Sequence, residues 1–402
     1  MAIIKNFQEE REARQRDNGV DYKERIRAHK LKVFIRTFVA LVLIVVAIVI
    51  INKLWNDKEY TEIVPIESFP VSVVSGTGLK DLDGSVLLYS KDGASCIDSK
   101  GKAVWNRSYE MQSPLVSVCN QTVAIGDYNG REIYVANKGS LLGTIRTNLP
   151  IRALSVSNNG VVAAVLDDSD VIRIYVYDGN NDTDEPIVKA KATMSKSGYP
   201  VSVSLSPNGK LMMVSYFYVD SGNMKSSVSF YNFGEVGSNK TDNFVSGFDY
   251  AGAVMPYVQF LGNDAAFGVS NDRAVFFSGN EIPDNVGTAM LNEKVLGVYY
   301  GAEYVGLVFP DSSGEATYRL DTFSSSGSKL SSIKLDAEFT DVVYTKDSVI
   351  VYNDKECHVY TVKGYQKFNG TFDESVNMLI PTSTEYRYLL IGTDSMKMVG
   401  LN

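Results

Sequence analysis

Hydrophobic and polar positions along the chain follow two regimes. No ionisable residue occurs between Thr37 and Asn52, and residues 38–51 are apolar throughout. A helical run of that length reaches only ~21 Å, short of the ~30 Å hydrocarbon core of a bilayer. The flanks extend it, with Val33, Phe34 and Ile35 before it and Leu54 and Trp55 after it. Arg36 and Lys53 can snorkel toward headgroups, and Trp55 suits the interfacial belt. The pattern predicts one transmembrane helix over residues 31–55. More than thirty residues precede the apolar run and no A-x-A site follows it, which disfavours a cleaved signal peptide. No Cys follows it either, as a lipoprotein would need.

Beyond Trp55 the pattern changes to short apolar strands, each running into an Asp/Asn/Gly/Ser turn. The unit recurs at residues 87–93, 124–130, 164–170, 213–222, 267–273, 306–314, 350–356 and 390–395. The spacing averages about 43 residues, the length of one four-stranded propeller blade. Eight units predict eight blades, with seven as the alternative if the long fourth or the short last unit is irregular. Residues 375–402 have room for only three strands, at 378–381, 386–391 and 396–401. Residues 61–67 (TEIVPIE) form a spare strand at the start. That strand is expected to complete the last blade, which removes exposed sheet edges. Pro65 lacks an N–H, so the spare strand belongs at an edge. The fold class is therefore all-β, a β-propeller preceded by one N-terminal transmembrane helix. A sandwich pair would show a linker near the middle, and a β-helix would show a shorter period.

Two units share more than a hairpin. Residues 155–165 (SVSNNGVVAAV) align with 204–214 (SLSPNGKLMMV), and both resemble the S-P-D-G-x-x-hydrophobic turn of many β-propeller repeats. The Asn-Gly pair predicts a two-residue hairpin with positive φ angles. Residues 96–105 (CIDSKGKAVW) resemble the tryptophan-docking segment of quinoprotein-type blades, with the Thr missing and the spacing one residue shorter. The sialidase Asp box does not fit that segment, and the WD dipeptide of WD40 blades is absent. The whole layout resembles uncharacterised bacterial single-pass membrane-anchored proteins with a quinoprotein-like or WD40-like propeller ectodomain. That resemblance implies no particular activity.

Charge supplies the orientation. Residues 1–36 carry ten Lys/Arg and six Asp/Glu, a net of +4; the remaining 29 and 41 give −12, which together make the overall −8. The positive-inside rule then places the N-terminus in the cytoplasm. The expected organisation is a cytoplasmic basic tail at 1–30, a transmembrane helix at 31–55 and an extracytoplasmic propeller at 56–402. The plasma membrane is the expected location. The tail segment 21–34 either continues the membrane helix, lies on anionic lipid, or serves as a solvated topology determinant.

Chemistry is thinly represented. The two histidines are His29 and His358. His358 follows Cys357 in a strand, so the two point to opposite faces and form no nucleophile–base dyad. No G-x-S-x-G, H-E-x-x-H or Walker pattern occurs. A quinone dehydrogenase of this blade type would often carry adjacent cysteines, and none are adjacent here. Asp178, Asn180, Asp182 and Asp184 have Ca²⁺-loop spacing, but Thr183 stands where Gly belongs and Lys189 where the bidentate Glu belongs. A solvated turn is expected there. Cys96, Cys119 and Cys357 are expected to be buried thiols, a Cys96–Cys119 bridge being the alternative. The five N-x-S/T sequons (Asn106, Asn120, Asn181, Asn239, Asn369) carry no weight in so Asn-rich a chain. An ectodomain at −12 is a poor nucleic-acid partner. No catalytic, cofactor or metal residue is assigned and no cofactor is expected. The expected partners are the membrane and an envelope protein or polymer, with no signal of oligomeric state. The expected function is a non-catalytic, membrane-anchored binding or scaffold module. A carbohydrate-active enzyme with paired carboxylates at the propeller channel is the alternative.

Overall fold

A computed structural model describes residues 2–56, 59–168, 171–192, 198–336 and 338–402, in two compact units, Met1–Glu59 and Tyr60–Asn402. Asp57, Ser169 and Asp170, and the side chains of Lys53 and Trp55, lie outside the described residues. The first unit is one helix, Ala2–Asn56. The basic segment 21–34 continues the apolar helix without a break. The stretch Ile26–Ile48 has a mean hydropathy of 2.6, and none of it is buried. It starts five residues before the expected span. From Thr37 onward it carries no ionisable residue, an unburied apolar run of that kind suits a hydrocarbon surrounding, and the stretch is a candidate membrane span.

The second unit is an eight-bladed β-propeller. Each blade is a four-stranded antiparallel sheet. Blades 1 to 7 span residues 78–108, 114–146, 151–192, 199–251, 257–290, 297–335 and 341–371. The first strands of several neighbouring blades touch, so the first strands line the centre of the ring. Eight hydrophobic clusters each join residues of two consecutive blades. Second strands such as Ser348–Tyr352, buried at every position, are continuous apolar runs because neighbours cover both faces. The fourth unit is long because its strands Leu211–Asp220 and Asn223–Asn232 have ten residues each, and it still forms one blade.

The ring closes through its ends. Blade 8 contains Met378–Pro381, Arg387–Ile391 and Ser395–Leu401, with Ile63–Pro70 as the outermost strand. The closing strand is therefore shifted toward Pro70 relative to the expected 61–67. Pro65 does sit on the edge, opposite Val399, and the register slips between Pro65 and Glu67.

The repeated turns differ from the expected two-residue hairpin. Only Gly160 (φ 87°) and Gly209 (φ 69°) are left-handed there; Asn159 and Asn208 are not. Gly160 N–H donates to Ser157 O, and Ser157 N–H to Val161 O. This is a turn followed by one left-handed residue, a longer loop than type I′. Trp105 does dock: its Nε1–H donates to Asn137 O of blade 2 at 2.7 Å. The acidic loop after Asp178 is more than a solvated turn. Asp182 Oδ1 accepts from Thr144 N–H at 2.8 Å, and Thr183 bridges Ile145 in parallel, so the loop extends the outer edge of blade 2.

Candidate functional site: one face of the ring

Strand direction gives the propeller two distinct faces. First strands begin on the upper face, where the connections between blades also run, and hairpins joining first to second strands lie on the lower face. The closing strand runs upward from Ile63, so the chain enters the ring from the lower face. There Thr61 N–H donates to Asn402 O, and the Tyr60 ring packs on Tyr386 at 4.7 Å.

Blades 2 to 5 are stitched together around the channel by serine hydroxyls. Ser117 Oγ accepts from Val156 N–H (3.0 Å), Ser155 Oγ from Leu205 N–H (2.8 Å), and Ser204 Oγ from Phe260 N–H (3.0 Å). Each hydroxyl satisfies an inner-edge amide that the sheet leaves unpaired. The lower-face turns repeat the arrangement, with Asn158 N–H on Pro207 O and Asn208 N–H on Asn263 Oδ1.

Two cavities open on the other side of the ring. One, of about 490 Å³, lies at the channel mouth among blades 1, 7 and 8; its lining includes Lys80, Thr340, Asp341, Tyr352, Asn377 and Thr393. The second, of about 460 Å³, lies between blades 6 and 7 and includes Glu338, Phe339, Tyr352, Glu356, His358 and Asn369. Tyr352, 2% exposed, lines both. Its hydroxyl accepts from Leu379 N–H at 3.3 Å, and its ring packs beside Cys357 in the core between blades 7 and 8. A third upper-face cavity of about 490 Å³, at the seam of blades 5 and 6, has a more apolar lining, including Val254, Pro256, Val295 and Val298.

His358 lines the inter-blade cavity while Cys357 packs in the core between blades 7 and 8, the opposite faces expected of adjacent strand residues. His358 Nε2 is 3.8 Å from Glu356 Oε2 and has no hydrogen-bond partner. Asn353 Nδ2 donates to Glu356 Oε1. Burial pushes the Asp341 carboxyl above the usual range; the Val342 amide and the Lys80 ammonium oppose that in part. Asp341 is the single carboxylate in the channel-mouth lining, so the paired carboxylates of a glycosidase are not formed there.

The three cysteines are free thiols, so the alternative Cys96–Cys119 bridge is not formed. Burial pushes Cys96 and Cys119 up to about 11 and Cys357 up to about 12. Among the described residues no group of three or more His, Cys, Asp or Glu side chains is placed to hold a metal ion. Lys80 of blade 1 and Asp341 of blade 7 escape sequence reasoning because those blades lie far apart in the chain. Their one local signal is that Lys80 and Asp341 lie in the first strands of their units.

No curated protein is similar to this chain. Among solved structures, Sqt1 from Chaetomium thermophilum aligns with a TM-score of 0.51 at 10% identity, covering 85% of this chain and all of that one. BamB from Moraxella catarrhalis aligns at 0.46 and 11% identity over 85% of this chain and all of that one. AztD from Citrobacter koseri aligns at 0.49 and 8% identity over 75% of this chain and 87% of that one. At such identities the first of these supports the propeller fold alone. The family model of DUF5711 matches residues 56–401, which takes in the whole propeller, and the chain belongs to this family of unknown function.

Proposed function

We propose that the chain is a non-catalytic, membrane-anchored binding module whose propeller captures an envelope protein or polymer outside the cell. The two cavities that flank blade 7 carry this reading. A rigid ring with a concave, polar, partly aromatic face suits binding by many small contacts. Anchoring rests on the exposed apolar stretch Ile26–Ile48. Orientation rests on the basic residues ahead of Thr37, which favour a cytoplasmic tail at 1–30, a membrane helix over 31–55 and an extracytoplasmic domain at 56–402.

Cross-linking and recovery of the full-length chain from intact cells tests the reading. Asn369 is exposed and lines the inter-blade cavity, so Asn369→Trp should obstruct that cavity without touching the core. A specific cross-linked partner is expected with the natural chain and should be lost with Asn369→Trp. Equal recovery with both would place binding elsewhere. Protease added outside wall-stripped cells should degrade the propeller and spare an N-terminal tag; loss of the tag would reverse the topology.

A further inference from the structure

The channel-mouth cavity contains two opposite charges that form no direct ion pair with each other. Lys80 lies on the first strand of blade 1, Gly78–Leu82, and Asp341 opens the first strand of blade 7, Asp341–Tyr344. Neither forms an ion pair among the described residues. One Asp341 oxygen accepts from Val342 N–H at 2.8 Å. Some other partly buried acids of the propeller are matched, Asp321 by Arg319 and Lys329, Asp272 by Arg273, Asp167 by Arg152 and Asp168 by Arg173, while Asp81, Asp98 and Asp127 form no ion pair among the described residues. Asp341 belongs with the unmatched acids, and it stands at the wall of a cavity of about 490 Å³. That volume is in the range of small-molecule sites, ~300–1,000 Å³.

The rest of the lining suits a polar guest. Thr77, Thr340, Asn377 and Thr393 supply hydroxyl and amide groups. The Tyr352 hydroxyl accepts from Leu379 N–H and keeps its own proton to donate. A neutral polyol would leave both charges unanswered. An anion would meet Asp341, and a dication would meet Lys80. A guest carrying one charge of each sign answers both, and charge-assisted hydrogen bonds are the strong ones.

We propose that this cavity binds a zwitterion of the amino-acid or short-peptide class, its ammonium group at Asp341 and its carboxylate at Lys80. The proposal rests on the binding reading of the upper face and names the ligand class for its channel-mouth half. Specificity then comes from the pair of charges and their separation, and the hydroxyl walls tolerate varied side chains.

Calorimetric titration of the purified full-length chain in detergent tests this, using alanyl-alanine, its N-acetyl and C-amide derivatives, and maltose. The dipeptide is expected to bind, and each blocked derivative to bind at least about tenfold more weakly. Asp341→Asn should erase the discrimination against N-acetylation, and Lys80→Gln the discrimination against amidation. Absence of dipeptide binding, equal binding of the blocked derivatives, or a preference for maltose indifferent to both variants would overturn the assignment. If cross-linking from the upper face persists in those cases, only the ligand class fails and the binding reading stands.

Discussion

Ile63, near the start of the propeller, stands opposite Leu401, the penultimate residue, in antiparallel register. The pairing runs on to Pro70 and Ser395, and Val73 N–H extends it by donating to Thr393 O. The outermost strand of the last blade therefore comes from the start of the propeller, and the C-terminal sequence alone does not complete that blade.

A soluble fragment beginning at Ser72 should be markedly less stable than one beginning at Glu59. Each lost backbone bond contributes ~1 kcal/mol net, and the exposed strand Ser395–Leu401 would be left as an edge. Thermal melting of the two fragments checks this, and equal Tm values would mean that the seam closes without the strand.

The serine stitches predict a second measurable cost. Ser204 is 1% exposed and its hydroxyl accepts from Phe260 N–H across the seam of blades 4 and 5. Ser204→Ala leaves that amide unsatisfied and should cost about 1–3 kcal/mol in urea unfolding. Trp105→Phe, which removes the donor to Asn137 O, should cost a similar amount. An unchanged urea midpoint in either variant would show that the bond carries no seam energy.

Asp341 and Glu374 should respond to pH with opposite signs. Burial raises the Asp341 carboxyl, so the folded state holds its proton more tightly than the unfolded chain. That contribution is complete below the unfolded pKa and is lost as pH rises through the folded one. Asp341→Asn should therefore stabilise the propeller at pH 7 and make less difference near pH 4. Hydrogen bonds from Lys397 and Ser395 lower the Glu374 carboxyl, and its contribution is present above the unfolded pKa and lost as pH falls through the folded one. Glu374→Gln should destabilise the propeller at pH 7, with the penalty shrinking in acid. Unfolding curves of both variants from pH 3 to 8 distinguish these signs.

The thiols should be silent in the native chain. With Cys96, Cys119 and Cys357 held at about 11 to 12 by burial, almost no thiolate exists at pH 8. Alkylation by iodoacetamide at pH 8 should be slow until denaturant is added, and rapid native labelling would contradict the packing.

Blade number and closure were legible in the sequence because both follow from local pattern. Apolar runs ending in turns recur at blade length, and Pro65 marks an edge strand in its own residue type. The turn at Asn159-Gly160 was misjudged because Asn tolerates either sign of φ, and the Ser157 side chain, which accepts from Val161 N–H, selects the longer loop. The role of Asp182 was hidden because its partner, Thr144, belongs to another blade. The upper face was illegible for the same reason: Lys80 and Asp341 are some 260 residues apart, and only ring closure brings blades 1 and 7 to one cavity.

The central claim, that the upper face is where this propeller binds, is tested most directly by site-specific photo-cross-linking in intact cells. A photoreactive residue at position 369 samples the inter-blade cavity, and one at position 346 samples the lower-face turn of the same blade; both positions are exposed. The account predicts a discrete adduct from position 369 and none from position 346. Adducts from 346 alone, or an identical pattern from both positions, would contradict it.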